Sequence, residues 1–178
     1  PNDICNLRCE FCPTHFGKNN IALNSIPLIA KFNPKVMVIT GGGEPSLWRE
    51  GKLRIYDLIM EIRKYMRKIP LGIMSNGTFL MPDGAIEQLK WLRISVNSFD
   101  KDQYKVVHKM DMFDRVLKNI LEYAKMDLPE LGIGFVYTKR TARDLINVIK
   151  IINDRILCNL SEDNLKKINV QFRPEADP

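Results

Sequence analysis

The sequence predicts an α/β fold built on a parallel sheet, and three features point to it. Short apolar runs rich in β-branched residues recur along the chain, such as Val-Met-Val-Ile-Thr at 36–40. A run apolar on both faces is what a buried parallel strand requires. Between these runs lie segments whose apolar residues return at helical spacing among lysines, arginines and glutamates. The two patterns alternate, and each return to a parallel strand needs a crossover, nearly always right-handed. At 178 residues the chain is long enough for one domain with a well-buried core.

Taken in order, residues 5–12 read Cys-Asn-Leu-Arg-Cys-Glu-Phe-Cys, three thiols in one short loop. Residues 13–24 are polar, with Gly17 and Asn19-Asn20 as breakers, and form a loop leading out of that cluster. Residues 26–32 suit a short helix ended by Asn33-Pro34. The strand at 36–40 runs into three glycines, and Leu53, Tyr56, Ile59, Met60, Tyr65 and Met66 mark an amphipathic helix over 53–68. A strand at 71–74 follows, then a short helix at 82–90 with Pro82 suited to its first turn. Next come a strand at 92–96, a polar stretch, and a helix at 113–125 marked by Val116, Leu117, Ile120 and Leu121. A strand at 133–137, a helix at 143–154 and a last strand at 168–172 complete the series. The chain begins at Pro1 and ends at Pro178 soon after that strand, so both ends read as cut from something longer.

Five strands follow the cysteines, and one more could lead into Cys5. Six β/α units fit an incomplete (β/α)6 barrel better than a closed eightfold one. An open doubly wound sheet is the alternative, and periodicity does not separate the two. In either arrangement ligands bind where loops gather at the carboxyl ends of the strands. That rim would hold residues 41–45, 75–78, 97–100 and 138–140, with the cysteine loop beside them.

Hydrophobic residues at 45% and charged residues at 27% are ordinary globular values. No apolar run approaches the roughly 18 residues of a spanning helix and there is no charged-then-apolar leader, so a soluble, non-membrane protein is expected. The net charge of +6 favours anionic partners, but its basic residues are scattered over helix faces, which argues against nucleic-acid binding. Four cysteines with three crowded together do not make a disulfide framework, since close neighbours pair poorly and one thiol is left over. Metal ligation in a reducing compartment is the better reading. Zinc takes four thiolates or three with an imidazole, and His15 lies nearby, yet a zinc knuckle pairs two CxxC-like halves and no second half is present. His15 reads as a loop histidine. Three thiolates on a 4Fe-4S cube would leave one iron free to bind something else.

Cys5-x3-Cys9-x2-Cys12, with Phe11 just before the third cysteine, resembles the signature of the radical S-adenosylmethionine (radical SAM) superfamily. Thr40-Gly41-Gly42-Gly43-Glu44-Pro45 resembles that family's GGE motif in the expected place, and Ser75-Asn76-Gly77-Thr78 and Ser95-Val96-Asn97 resemble later positions less specifically. Asn97 stands where relatives often carry an aspartate, and a glycine pattern near the fifth strand is only partly met by Gly132 and Gly134. The resemblance covers nearly the whole chain. It implies a radical SAM core domain over 1–178 with a partial (β/α)6 TIM-like barrel and a parallel sheet.

The same residues have a physical sense of their own. Glycines at 41–43 have no Cβ, so backbone can approach a ligand closely, and Glu44 adds an anion suited to an ammonium group. Ser75, Asn76, Ser95 and Asn97 are short polar groups that could reach a ribose or a carboxylate. Val136 and Tyr137 could flank an adenine, and Arg143 and Arg173 match carboxylates through their guanidinium forks. The methionines read as core filler, Trp48 and His108 have no assignment, and Cys158 reads as a buried thiol.

The resemblance implies a 4Fe-4S cluster on Cys5, Cys9 and Cys12 that binds S-adenosylmethionine at its open iron. It would cleave that cofactor reductively to a 5'-deoxyadenosyl radical, which abstracts hydrogen from a peptide or small-molecule substrate. The implied cofactor contacts are Phe11, Gly42, Gly43, Glu44, Ser75, Asn76, Ser95, Asn97, Val136 and Arg173. The implied electron donor is a protein such as flavodoxin or ferredoxin, and oxygen-sensitive thiolates place the enzyme in a reducing cytoplasm. Residues 95–100 and 113–120 look more like the branch whose barrels carry C-terminal auxiliary-cluster (SPASM/twitch-like) domains, with glycyl-radical activating enzymes and small-molecule-cyclising relatives left open as alternatives. The alternative function is a non-catalytic Fe-S or zinc-binding α/β module that binds a partner.

Overall fold

A computed structural model of the chain describes residues 2–12, 19–98, 100–137 and 145–174. Its main sheet is made of β1 (Met37–Ile39), β4 (Leu71–Ser75), β5 (Trp91–Ser95), β6 (Leu131–Tyr137) and β7 (Ile168–Pro174). All neighbours are parallel, in the order β1-β4-β5-β6-β7. Each strand is laid beside the one before it, with no reversal. A doubly wound sheet needs a switch point where the order turns back. Crossovers of one hand and one direction instead stack the helices on one face and leave the other as an interior. This order selects the partial (β/α)6 TIM-like barrel, five strands of which lie among the described residues.

The register shows how the two faces divide. Ile39, Ile73, Leu92 and Leu131 pair in one row and are all buried in the hydrophobic core. Met74, Arg93, Gly132 and Asn169 form the next row and, by the two-residue period of a strand, face the other way. Two helices cover the core. In α2 (Ile55–Tyr65), Ile55, Leu58, Ile59 and Ile62 make one apolar stripe at helical spacing. The Arg54 amide donates to the Asp57 carboxylate at 2.7 Å and so closes the first turn of α2. In α5 (Phe113–Lys125) the stripe is Phe113, Val116, Leu117, Ile120, Tyr123 and Ala124. Each fully buried aliphatic side chain contributes about 1.5–3 kcal/mol. Trp48, without assignment from sequence, is fully buried and donates its indole N–H to the Ile21 carbonyl at 2.9 Å.

Several elements differ from the sequence expectation. The polar stretch contains a helix, α4 (Lys101–His108), capped where Asp100 accepts the Gln103 amide at 2.9 Å. Only Tyr104 and His108 are buried in it, which is too thin a stripe to show as a period. The helix expected over 53–68 is shorter, because Leu53–Arg54 forms β3 against β2 (Arg49–Glu50) in a small antiparallel pair. The first helix, α1, is Ile26–Ala30, and the one expected over 82–90 is a single turn, α3 (Asp83–Ile86). Helix α6 (Leu145–Arg155) is followed by a short turn that carries Cys158, which is exposed and not buried as its apolar neighbours implied. A last short helix, α7 (Glu162–Leu165), precedes β7. His15, Arg143 and the rim loop at 138–140 lie outside the described residues. No helix among the described residues is long and apolar enough to cross a membrane.

The Tyr123 hydroxyl shows how the connection between α3 and β4 is tied down. It accepts the Met81 amide and donates to the Phe79 carbonyl, both at 2.9 Å. Tyr123→Phe leaves both backbone groups unpaired and is expected to destabilise the fold by about 1–3 kcal/mol. The check is the urea midpoint of the variant against that of the parent.

Candidate active site

The cysteine loop is held by backbone and not by side-chain packing alone. The Gly43 amide donates to the Asn2 carbonyl and the Glu44 amide to the Ile4 carbonyl, each at 2.8 Å. A Cβ at Gly43 would stand 2.2 Å from the Ile4 carbonyl oxygen, so only glycine permits this approach. The segment entering Cys5 therefore rests on the glycine run that follows β1. On its far side the loop hangs from the end of α4: the Arg8 amide donates to the His108 carbonyl at 3.1 Å and the Glu10 amide to the Val107 carbonyl at 2.9 Å. The Cys12 amide donates to the Cys9 carbonyl at 3.1 Å, which turns the chain back on itself.

Glu44 is buried, and its carboxylate accepts from the Ser75 hydroxyl at 2.7 Å, the Ser46 amide at 2.9 Å and the Asn76 amide at 2.6 Å. One acid thus joins the end of β1 to the end of β4. From there Asn76 Nδ2 reaches Asn6 Oδ1 at 3.0 Å and Cys5 Sγ at 3.8 Å. Asn97 sits in the left-handed region at φ 57°, and its Oδ1 accepts the Val136 amide at 3.0 Å, which links the ends of β5 and β6.

These contacts surround a pocket of about 310 Å³. Its walls include Cys5, Cys9 and Cys12 together with Phe11, Gly42, Gly43, Glu44, Ser75, Asn76, Ser95, Asn97, Val136 and Arg173. The three cysteines and the ten cofactor contacts implied by the resemblance therefore reach one place, whereas Tyr137 does not line it and Arg143 lies outside the described residues. A larger cleft of about 560 Å³ lies between Asp100, Gln103 and α6, but no wall residue is shared and no cysteine lines it. Sequence reasoning missed Leu7, Thr40, Met74 and His108, all in the pocket wall. His108 Nε2 lies 2.8 Å from the Val96 carbonyl, which only an N–H can satisfy, so Nδ1 is free to accept from Cys9 Sγ at 2.9 Å. Burial lowers the His108 pKa, in keeping with a neutral ring. The edge of Phe11 meets that ring at a centroid distance of 6.1 Å. No sequence signal marks His108, because its value comes from a helix that periodicity did not show.

The three thiols are half-buried and crowd one another. Burial, then the neighbouring Cys5 and Cys12, push the Cys9 thiol up to about 12, and burial with Glu44 and Cys12 raises Cys5. Cys5 and Cys9, held in the thiol form first by burial and then by neighbouring charge, suit a polycationic centre, which offsets both. Among the described residues no group of three His, Cys, Asp or Glu has the spacing for a single ion. Thiolates on one zinc, with bonds of about 2.3 Å, must lie within about 4 Å of each other. A cluster takes each thiolate on a different iron and so does not need three donors gathered on a single ion, which is the arrangement absent here among the described residues.

A family profile described as the Radical SAM superfamily matches residues 1–152. The chain belongs to this superfamily. Radical SAM enzymes use a 4Fe-4S cluster and S-adenosylmethionine, and those are the cofactors of this chain. Among curated proteins it is 29% identical over 162 residues to a probable GTP 3',8-cyclase of Sulfurisphaera tokodaii, covering 82% of this chain and 48% of that protein. A probable GTP 3',8-cyclase of Pyrococcus abyssi is 28% identical over 136 residues, covering 70% and 42%. The chain spans about half the length of the curated relatives it matches. Among solved structures, native anSMEcpe with bound AdoMet superposes with a TM-score of 0.72 at 20% identity, covering 99% of this chain and 51% of that one. Streptococcus suis SuiB bound to S-adenosylmethionine superposes with a TM-score of 0.65 at 19% identity, covering 99% and 38%. At these identities the superpositions establish the radical SAM fold alone.

The thiol environment predicts an order of chemical labelling in the cluster-free protein. A raised pKa keeps Cys9 as the unreactive thiol at pH 8, whereas Cys158 is open to reagent. Iodoacetamide followed by peptide mass mapping should show Cys158 modified first and Cys9 last, with the Cys9 rate rising as pH climbs toward 12.

Proposed function

We propose that residues 1–178 form the core domain of a radical SAM enzyme that reductively cleaves S-adenosylmethionine and abstracts hydrogen from a peptide or small molecule. The observation that carries this reading is the convergence of Cys5, Cys9 and Cys12 with the polar ends of β1, β4 and β5 on one pocket. When bound, the reduced cluster supplies the electron that splits the cofactor into methionine and a 5'-deoxyadenosyl radical. The protein's part is binding, orientation and exclusion of water. Cys5, Cys9 and Cys12 would hold the cluster, three ligands for four irons. Gly42, Gly43 and Glu44 receive the methionine ammonium, for which the Glu44 carboxylate keeps acceptor capacity beyond its three protein donors. Ser75, Asn76, Ser95, Asn97 and Arg173 meet ribose and carboxylate, and Phe11 and Val136 wall off the adenine.

An electron donor such as flavodoxin or ferredoxin fits the need for a reductant, and the oxygen sensitivity of such a cluster fits a reducing cytoplasm. The names of the curated relatives make GTP the first substrate to try. The test is anaerobic reconstitution with iron and sulfide, reduction with dithionite, and measurement of 5'-deoxyadenosine from S-adenosylmethionine. The parent is expected to form it, while Cys5→Ala, Cys9→Ala and Cys12→Ala each fall to background and lose the cluster absorbance. Reductive cleavage by any of these single variants would sink the reading. A colourless parent that binds zinc would favour a non-catalytic module.

A further inference from the structure

The interior face of the sheet carries a charged side chain that the cofactor pocket does not use. Arg93 stands in the row of Met74, Gly132 and Asn169, but its side chain does not stay there. Its stem lies over Gly132, where an added Cβ would come 3.4 Å from Cγ. Its head lies over Gly134, where a Cβ would come 2.8 Å from Nε and 3.2 Å from Nη2. Gly134 pairs with Ser95, two rows nearer the carboxyl ends of the strands and on the same face. The two glycines of β6 thus form a trough that carries the guanidinium up the interior, toward the pocket lined by Ser95 and Arg173.

Nothing among the described residues receives that guanidinium. Nε and Nη2 are buried without a hydrogen-bond partner. Glu130 shares a small cleft with Arg93 and Gln171 yet makes no ion pair with it among the described residues. The acid of the cofactor pocket, Glu44, is engaged with Ser75, Ser46 and Asn76. The charge that does act on Arg93 is the like charge of Arg173, which adds to burial in lowering its pKa. Arg63 shows what a structural arginine looks like in this chain. It too is desolvated, but its Nη1 donates to the Ile69 carbonyl at 2.7 Å and its Nη2 to the Gln88 carbonyl. Arg93 as a whole is half-buried, but an arginine cannot shed its charge or accept a hydrogen bond, so its two buried nitrogens without acceptors mark an incomplete site. The head of Arg93 lies flat on Gly134 with no bond holding Nε or Nη2 there, so turning it toward the pocket sacrifices neither.

We propose that Arg93 is an anion-binding residue on the barrel floor that receives an oxyanion of the substrate, a carboxylate or a phosphate, beneath the bound cofactor. The proposal rests on reading the pocket above it as the radical SAM site. The guanidinium fork then fixes the substrate's charged end and sets which atom faces the cofactor. A substrate lacking that group leaves the arginine unpaired, which is how such a site rejects it.

Two measurements test this. The first is thermal unfolding of the ligand-free protein. Arg93→Met removes two buried, unpartnered guanidinium nitrogens and is expected to raise the melting temperature by about 2–4 °C, whereas Arg63→Met, which strands carbonyls, lowers it. A loss of stability in Arg93→Met matching that of Arg63→Met would make Arg93 structural and overturn the proposal. This arm does not depend on cluster chemistry, so its outcome is separate from that of the radical SAM reading. The second is calorimetric titration of the reconstituted, S-adenosylmethionine-bound protein with inorganic phosphate and with succinate. Saturable binding of one of them, weakened at least about tenfold in Arg93→Met and less in Arg93→Lys, is expected, and the anion that binds names the source. The Kd for S-adenosylmethionine should be the same in parent and variant. Binding of neither anion, equal binding by Arg93→Met, or a comparable loss of cofactor affinity would each overturn the proposal.

Discussion

The Glu44 carboxylate is the contact on which the rest of the site depends. It is only 2% exposed and lies where strand ends and the cysteine loop meet. Burying a carboxylate is costly unless its oxygens are satisfied, and three donors from β4 and its own turn satisfy them. Hydrogen bonds to a charged group are worth about 1.5–3 kcal/mol each, enough to offset much of that cost. Because Ser75 and Asn76 end β4 while Glu44 follows β1, the same bonds fix the spacing of two barrel strands at their carboxyl ends. The Glu44 amide and carbonyl also bind Ile4 and Asn2, so the approach to Cys5 is set by the same residue. Cluster loop and cofactor rim are therefore one mechanical unit.

This double duty changes what the glycine run means. In sequence, three glycines before an acid look like room for a ligand. In the fold, Gly43 first makes room for protein: its missing Cβ is the space occupied by the Ile4 carbonyl. Gly42 lines the pocket beside it. One glycine docks the cysteine loop and its neighbour lines the pocket, so the two glycines serve different ends.

The sheet and the pocket were legible because both rest on local signals. β-Branched runs of the right length marked the strands, and each residue just past a strand's end falls on the rim by topology alone. Strand order was not legible, since periodicity says nothing about which strand lies beside which. Helix α4 was hidden because only Tyr104 and His108 are buried in it, one turn apart. With α4 went the role of His108, whose contact with Cys9 spans 99 positions of sequence. Cys158 was misplaced because a helix-like segment has an exposed face as well as a buried one, and Cys158 lies on the exposed one.

The interior of the barrel holds a different kind of information from its rim. At the rim, Glu44, Ser75, Asn76 and Asn97 are polar and each is bonded to another strand end, which makes the rim rigid. Below them the sheet turns to glycine: Gly72 leaves space filled by the Trp91 ring, and Gly132 and Gly134 leave space filled by Arg93. An added Cβ at Gly72 would come within 2.0 Å of that ring, so the glycines and the large side chains of β5 are matched pairs. A barrel floor built from two long side chains of one strand, laid over the glycines of its neighbours, can be changed without touching Glu44, Ser75 or Asn97. Platform and floor are thus separate in their bonding: the hydrogen bonds that join the strand ends run through Glu44, Ser75 and Asn97, and Arg93 takes no part in them.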